Sequence, residues 1–192
     1  MPDSAGDPLD TLVGHHQRPA EWARDPVRGD VLDDVPAEPV RCGADAVVLL
    51  LALHRAADPV ELLARVRRVL RPGGTLVVVT PSVVRRTPED LRWTGALRPV
   101  RCGPWRHRSA LDRAGWLLAA ADFAVLTDER RGYALPLPDT RAAWSVLDAL
   151  PAAGLWPELD PAARARVGEA LAHRAGPGRL LPVPLRRLVA RR

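Results

Sequence analysis

The 192-residue sequence contains no lysine, isoleucine or asparagine, and it has only two cysteines, one phenylalanine and one tyrosine. Two cysteines are too few for the disulfide framework of a small secreted protein. No apolar stretch approaches the roughly 20 residues that a membrane-spanning helix needs. The first ten residues are polar and acidic, unlike a secretory signal. These absences predict a cytoplasmic chain that does not enter a membrane.

All 28 basic residues are arginine, and the formal net charge is +5. A basic chain raises nucleic acid as a partner. Proteins that bind single strands, however, place aromatic side chains among their basic residues to stack on bases. Phenylalanine and tyrosine occur once each in this chain. A solvated arginine-rich surface therefore explains the charge better than nucleic-acid binding, which is kept as the last of three interpretations.

The length suits one domain with a sizeable core. Residues 1–10 carry proline, glycine, serine and three aspartates, a composition typical of disorder, so we predict a single domain over residues 11–192. No spacing of histidines and cysteines suits a metal site. His15 and His16 are adjacent, and on a strand they would point to opposite faces. No metal is predicted.

Two apolar runs, at residues 47–51 and 76–80, indicate strands buried on both faces, as in a parallel sheet. Parallel strands need a crossover, which is normally a helix. Asp58 is a suitable N-cap for that helix, and Pro59 suits its first position. Residues 72–74, Pro-Gly-Gly, end the helical pattern. The sequence therefore predicts an α/β fold with a mostly parallel sheet and helices on both faces.

Further elements follow along the chain. Apolar patterning and capping residues predict helices at 19–23, 110–121 and 139–150 and another from Asp160 onward, and strands at 12–16, 123–130 and 180–190. The last strand contains two prolines, which are tolerated at edges and at strand starts. Residues 81–107 form a long, proline-rich connection, and connections of this length in a compact domain are usually functional or disordered.

The segment from Asp45 to Thr80 resembles the second half of a class I S-adenosylmethionine-dependent methyltransferase. The family often shows an acidic residue, an apolar strand, Leu-His, an Asp-Pro helix start, a Val-Leu-Arg-Pro-Gly-Gly turn and a second strand. This sequence has each part in that order, with Leu53-His54 and the turn at residues 69–74. Upstream, residues 27–31 resemble the family's strand-end Gly-Asp motif. The resemblance implies a Rossmann-like sheet with an antiparallel C-terminal strand.

The resemblance also implies a cofactor and the residues that bind it. The cofactor would be S-adenosylmethionine, with Asp30 and Val31 at the adenine and the main chain of Leu50 and Leu51 at the end of the fourth family strand. His54 follows that strand, and an imidazole there could act as a general base on the acceptor. Methyl transfer from a sulfonium mainly requires alignment and exclusion of water, so no catalytic triad is expected.

The acceptor is expected to be a small molecule. Arginine can clamp a carboxylate or phosphate with two parallel hydrogen bonds, so an anionic acceptor is favoured by the arginines of the long connection. These are Arg85, Arg86, Arg92, Arg98, Arg101, Arg106 and Arg108.

The family's glycine-rich first loop has no counterpart before Gly29, and residues 12–16 fit the second family strand better than the first. The fourth family strand is then expected to have an unpaired, apolar edge, which favours self-association. Three outcomes are open: the strand at residues 12–16 fills the vacant position, a partner subunit supplies a strand, or the coding frame starts upstream. The last of these, or a degenerate relative of the family, is favoured. The second interpretation is accordingly a non-catalytic scaffold or partner subunit with the methyltransferase fold.

Overall fold

The structure, a computed structural model, describes residues 18–33, 35, 43–82 and 88–192. Some of the predictions concern residues outside these ranges. They are the disorder of residues 1–10, the strand at 12–16 with His15 and His16, and the arginines Arg85 and Arg86. The helices are α1 (Pro19–Arg24), α2 (Pro59–Val69), α3 (Pro88–Arg92), α4 (Arg98–Arg101), α5 (Ser109–Asp112), α6 (Ala114–Ala120), α7 (Thr140–Ala152) and α8 (Pro161–Ala172). The strands are β1 (Val31–Asp33), β2 (Ala44–Leu50), β3 (Leu70–Pro81), β4 (Ala124–Pro136) and β5 (Leu180–Arg191).

The five strands form one mixed sheet in the order β1-β2-β3-β5-β4. Strands β1, β2 and β3 are parallel, and Leu50 of β2 lies opposite Val79 of β3. Strand β5 runs antiparallel to β3, with Val189 opposite Val77. This arrangement confirms the predicted α/β fold and the antiparallel C-terminal strand.

Helix α2 makes the crossover between β2 and β3 that the sequence predicts. Asp58 is its N-cap, and the carboxylate oxygen Oδ1 accepts hydrogen bonds from the main-chain N–H groups of Val60 at 2.8 Å and Glu61 at 3.2 Å. Its apolar stripe is buried at Leu62, Leu63, Val66 and Val69. The helix ends at Val69 and β3 begins at Leu70, so the Pro-Gly-Gly segment belongs to the strand and not to the helix end.

The hydrophobic core of this region packs around β2 and β3. Val47, Leu49, Leu76 and Val78 point into it and are fully buried. Burying a leucine or valine side chain stabilises the fold by about 1.5–3 kcal/mol. The continuous apolar runs of the sequence are therefore explained by burial on both sides of the parallel pair.

The edge of β2 away from β3 is occupied over three residues by β1, where Val31, Leu32 and Asp33 lie opposite Ala46, Val47 and Val48. The sequence prediction differs from the structure at this point. Gly29 and Asp30 were expected at the end of a strand, but they precede β1. The physical reason is a turn at Gly29, whose φ of 86° is in the left-handed region, followed by anchoring of Asp30 to Asp45.

The prolines of β5 lie in the half of the strand that does not pair with β3. The pairing with β3 runs from Leu185 to Arg191, whereas Pro182 and Pro184 precede it. Proline has no N–H to donate, so this position avoids the loss of hydrogen bonds to β3. The predicted strand at 180–190 is thus confirmed.

Two adjacent arginines of β5 are buried against β4 and the flanking helices. Arg186 donates from Nε and Nη2 to the two carboxylate oxygens of Asp128, each at 2.8 Å, and from Nη1 to the main-chain oxygen of Leu111 at 2.8 Å. Arg187 pairs with Glu129 at 2.7 Å. Its guanidinium also donates to the main-chain oxygen of Trp22 and stacks 4.7 Å from the centre of the Trp22 ring. Neighbouring strand residues face opposite sides of the sheet, so each face carries one buried ion pair.

Helices α7 and α8 begin as predicted. Asp139 and Asp160 cap them by accepting from the N–H groups of Ala142 and Ala163, both at 2.8 Å. The single helix predicted at 110–121 is instead divided into α5 and α6, with Arg113 between them at φ −122° and ψ 27°, outside helical geometry. Among the described residues, no helix has both the length and the apolar character to cross a lipid bilayer.

The chain divides into two compact units. The sheet unit comprises residues Glu21–Ser82, Arg106–Arg131 and Leu185–Arg192, and the helical unit comprises Met1–Ala20, Val83–Trp105 and Gly132–Pro184, in each case as far as described. The single-domain boundary at residues 11–192 stays a prediction.

Candidate functional site

A cleft of about 630 Å³ lies in the sheet unit, beyond the carboxyl end of β2. Leu50 and Leu51 line it where the strand ends, and Leu62 of α2 adds an apolar wall. In open α/β sheets, ligands bind beyond the carboxyl ends of the parallel strands. Both the volume and the mixed apolar and polar lining are in the range of small-molecule sites.

Leu51 has an unusual backbone at the base of this cleft. Its φ is 55°, its side chain is 4% exposed, and its N–H donates to the main-chain oxygen of Val79 at 2.9 Å. The left-handed region is uncommon for a bulky L-residue, and such residues concentrate at active sites and ligand clamps. The chain therefore leaves the sheet through a strained position that the β3 contact holds in place.

Four charged side chains, Arg55, Asp58, Glu61 and Arg65, complete the cleft. Glu61 forms an ion pair with Arg68 at 3.1 Å, and Asp58 is committed to the helix cap. Among the described residues, the buried Nε of Arg65 has no hydrogen-bond partner. Arg65 also lines the cleft, and a guanidinium carries further N–H groups that can donate to a ligand.

The structure does not bring the four predicted cofactor residues together. Leu50 and Leu51 line the cleft, but Val31 lies opposite Ala46, and Asp30 lies next to Asp45 at the amino end of β2. The four steps along the strand from Ala46 to Leu50 correspond to roughly 13 Å. The role of Asp30 and Val31 at the cofactor thus stays a prediction from the resemblance.

Asp45 has a structural role that the sequence analysis did not assign. One carboxylate oxygen accepts from the N–H of Asp30 at 2.9 Å, and the other accepts from Nε of Arg71 at 2.5 Å. The main-chain N–H of Asp45 donates in return to the carbonyl oxygen of Asp30 at 3.0 Å. First the main-chain hydrogen bond from Asp30, then that from Arg71, lowers the pKa of Asp45 below its ordinary value of 3.8.

We expect stability at acid pH to report this anchor. Since the folded-state pKa of Asp45 is depressed, its contribution is fully present above the ordinary pKa of 3.8 and is lost as pH falls through the lower folded-state pKa. Asp45→Asn should therefore flatten the acid limb of a plot of unfolding free energy against pH, measured by urea denaturation. Asp25→Asn, at an exposed aspartate elsewhere in the sheet unit, should leave that limb unchanged. An unchanged limb in Asp45→Asn would contradict the anchor.

Neither His54 nor His107 is among the described residues that line the cleft. His54 is 2% exposed and is not among the cleft's described lining residues, so its catalytic role stays a prediction. His107 instead contacts the main-chain oxygen of Ala57, a lining residue, through Nε2 at 3.1 Å. The contact joins residues 50 positions apart, and no local sequence pattern signals it.

The arginines of the long connection have separate environments. Arg108 pairs with Asp112 at 3.1 Å, and Arg92 lines a cavity in the helical unit. In the described part of the chain, no three histidine, cysteine, aspartate or glutamate side chains are grouped closely enough to hold a metal ion.

The strand order and the cleft beyond β2 define a Rossmann-like α/β protein. Comparison with known proteins finds methyltransferases. Residues 16–78 match the family model described as a methyltransferase domain. Over 95 residues the chain is 35% identical to an uncharacterized methyltransferase of Mycobacterium bovis, and equally to one of Mycobacterium tuberculosis. These matches cover 47% of this chain and 48% of each relative, so the chain spans about half the length of the curated relatives it matches.

Among solved structures, the chain is similar to a Bacillus halodurans C-125 protein assigned as a methyltransferase. The TM-score is 0.43 with 16% identity, over 80% of this chain and 67% of that one, and a likeness of that size does not bear on function. The family-model match and the curated relatives thus make part of this chain similar to methyltransferases.

Proposed function

We propose that the chain transfers a methyl group from S-adenosylmethionine to a small-molecule acceptor, and that the cleft beyond β2 is part of the reaction site. The observation that carries this proposal is the position of Leu51: a strained residue at the carboxyl end of a parallel strand, at the base of a cleft of about 630 Å³. A strained backbone persists where the surrounding contacts hold the residue in place, and such positions are commonly functional.

The cleft is suited to part of the cofactor. The main chain of Leu50 and Leu51 would hold it, Leu62 would cover its apolar parts, and Arg65 offers a donor to its carboxylate. When bound, S-adenosylmethionine supplies an electrophilic methyl group on a sulfonium.

The chain's own residues would position the acceptor and exclude water. Leu51 and Leu62 provide a dry wall, and exclusion of water is the main requirement of methyl transfer besides alignment. Arg55 is exposed at the cleft and would attract an anionic acceptor. His107 would support the wall at Ala57, and with Nε2 donating to that carbonyl its Nδ1 remains an acceptor for a proton.

Blocking the cleft is expected to abolish cofactor binding. Ala57 lines the cleft and is exposed, so Ala57→Trp should fill the space without disturbing the core. We expect at least about a tenfold rise in the dissociation constant for S-adenosylhomocysteine, measured by isothermal titration calorimetry. Val60→Trp adds the same ring at an exposed position outside the lining and should bind like the wild type. Equal affinities in both variants would reject the cleft as the cofactor site.

One observation favours a second candidate, a non-catalytic scaffold with the methyltransferase fold. Asp30 and Val31 lie at the opposite end of β2 from Leu50, so the part of a cofactor held in the cleft would not contact them in this arrangement. If the wild-type chain gives no heat and no thermal shift with millimolar S-adenosylmethionine, the scaffold is supported and intrinsic activity is rejected. Binding by a monomer would reject the scaffold.

A further inference from the structure

We infer that the helical unit carries a separate site for a small phosphate-bearing anion, in a cavity built from α3, the end of α8 and the start of β5. This inference does not depend on methyl transfer, because the cavity belongs to a different compact unit from the cleft. The cavity has a volume of about 350 Å³, which is enough for a metabolite-sized ligand.

The lining of this cavity is predominantly basic. Arg92, His173, Arg174 and Arg179 contribute side chains, and none of the described lining residues is acidic. Trp93, which is 3% exposed, contributes an apolar surface to the lining. Basic side chains that line one cavity repel one another, so an anion bound among them would stabilise this arrangement.

The donors are partly uncommitted. Among the described residues, the guanidinium of Arg179 and the imidazole of His173 have no hydrogen-bond or ion-pair partner. Arg174 donates from Nη1 to the main-chain oxygen of Ala170 at 3.0 Å, and a guanidinium has further N–H groups to donate. An anion in the cavity would therefore meet donors that are not yet fully used.

The segment that carries Arg179 is fixed at both ends. The N–H of Gly176 donates to the main-chain oxygen of Leu137 at 2.9 Å, and the N–H of Leu137 donates to the main-chain oxygen of Arg179 at 2.8 Å. The N–H of Arg179 closes the turn by donating to the oxygen of Gly176 at 3.0 Å. Because these bonds involve main-chain atoms, the backbone at Arg179 is positioned before any ligand binds, which lowers the entropic cost of binding.

The chemistry favours phosphate over carboxylate. One arginine satisfies both oxygens of a carboxylate through two parallel bonds, whereas a phosphate monoester has three terminal oxygens and a higher charge. Basic groups from α3 and from the connection between α8 and β5 line this cavity, so they can approach a tetrahedral anion from more than one direction. The expected ligand is a small phosphate monoester.

The inference is tested with inorganic phosphate as the probe, titrated into the full chain by isothermal titration calorimetry at constant ionic strength. We expect millimolar affinity for phosphate, and at least about a tenfold weakening in Arg179→Gln. The control Arg166→Gln removes the same charge from an exposed position on α8 outside the cavity and should bind like the wild type. Both side chains are exposed, and Arg179 contributes main-chain bonds that the substitution retains, so both variants should fold.

Each alternative result overturns part of the inference. Equal weakening in Arg166→Gln and Arg179→Gln would show attraction to surface charge in general and reject the site. Acetate binding as tightly as phosphate would reject the phosphate preference. No heat with phosphate in the wild type would reject the site, and it would leave the result with S-adenosylhomocysteine, which tests the cleft, unaffected.

Discussion

Replacing Gly29 by alanine should destabilise the protein strongly. The φ of Gly29 is 86°, and a Cβ at that position would lie 2.2 Å from the carboxylate oxygen Oδ2 of Asp45. A left-handed backbone alone costs a residue other than glycine about 1–2 kcal/mol. The collision adds to this cost because the same oxygen accepts the hydrogen bond from the N–H of Asp30. We expect a loss of more than about 3 kcal/mol in the free energy of unfolding, measured by urea denaturation.

Gly73→Ala is the matched control for the backbone term. Gly73 has a similar φ of 75°, and no atom lies within 4 Å of an added Cβ. Gly73→Ala should lower the free energy of unfolding only by the conformational cost of about 1–2 kcal/mol. The double variant Gly29→Ala/Asp45→Ala should remove the collisions with Oδ2 and Cγ of Asp45 and leave only the approach to its Cβ at 2.9 Å, so the two substitutions should not be additive. If Gly29→Ala and Gly73→Ala lose the same stability, the contact with Asp45 is not important.

Asp128→Asn should also cause a large loss, because it removes the carboxylate from a buried arginine. Arg186 is 9% exposed and uses two of its three nitrogens on Asp128. Removing one partner of a fully buried pair costs about 3–5 kcal/mol. Asp128 itself is 38% exposed, so water compensates in part for the lost carboxylate. We expect a loss of about 2 kcal/mol in the free energy of unfolding, measured by urea denaturation.

Asp148→Asn provides the comparison for an exposed pair. Asp148 binds Arg164 at 2.8 Å but is 76% exposed, and such pairs contribute about 0–1 kcal/mol. The two substitutions remove the same charge from the same side chain type, so the difference between their losses reports the burial of Arg186 together with the second contact of Asp128, with Nη1 of Arg130 at 3.5 Å. Equal losses would contradict the structural importance of the Asp128–Arg186 pair.

Much of the fold follows from local patterns. The apolar runs of β2 and β3 and the Asp-Pro start of α2 predict a strand–helix–strand unit because burial and capping act over a few residues. The same reasoning identifies the starts of α7 and α8 from Asp139 and Asp160. Nothing local predicts the position of β1, since three residues carry too little periodicity to determine a partner strand.

The candidate site is less accessible to sequence reasoning. The sequence places Leu50 and Leu51 at a strand end, and the structure places both at the cleft. The φ of Leu51 depends on its bond to Val79, 28 positions away, and the contact of His107 with Ala57 spans 50 positions. Long-range contacts of this kind leave no signal in spacing or composition. Asp30 was assigned by resemblance alone, and the turn at Gly29 places it at the other end of β2.

The two adjacent buried arginines have a consequence for how β5 finds its place. A one-residue slip of a strand turns every side chain to the other face of its sheet. Such a slip would take Arg186 away from the carbonyl of Leu111 and Arg187 away from the ring of Trp22, leaving two cations buried without partners. Mispaired forms of this strand are therefore penalised twice, once on each face. The leucines and valines of β5 alone would tolerate several alignments. The two arginines therefore separate the correct alignment from the others in free energy.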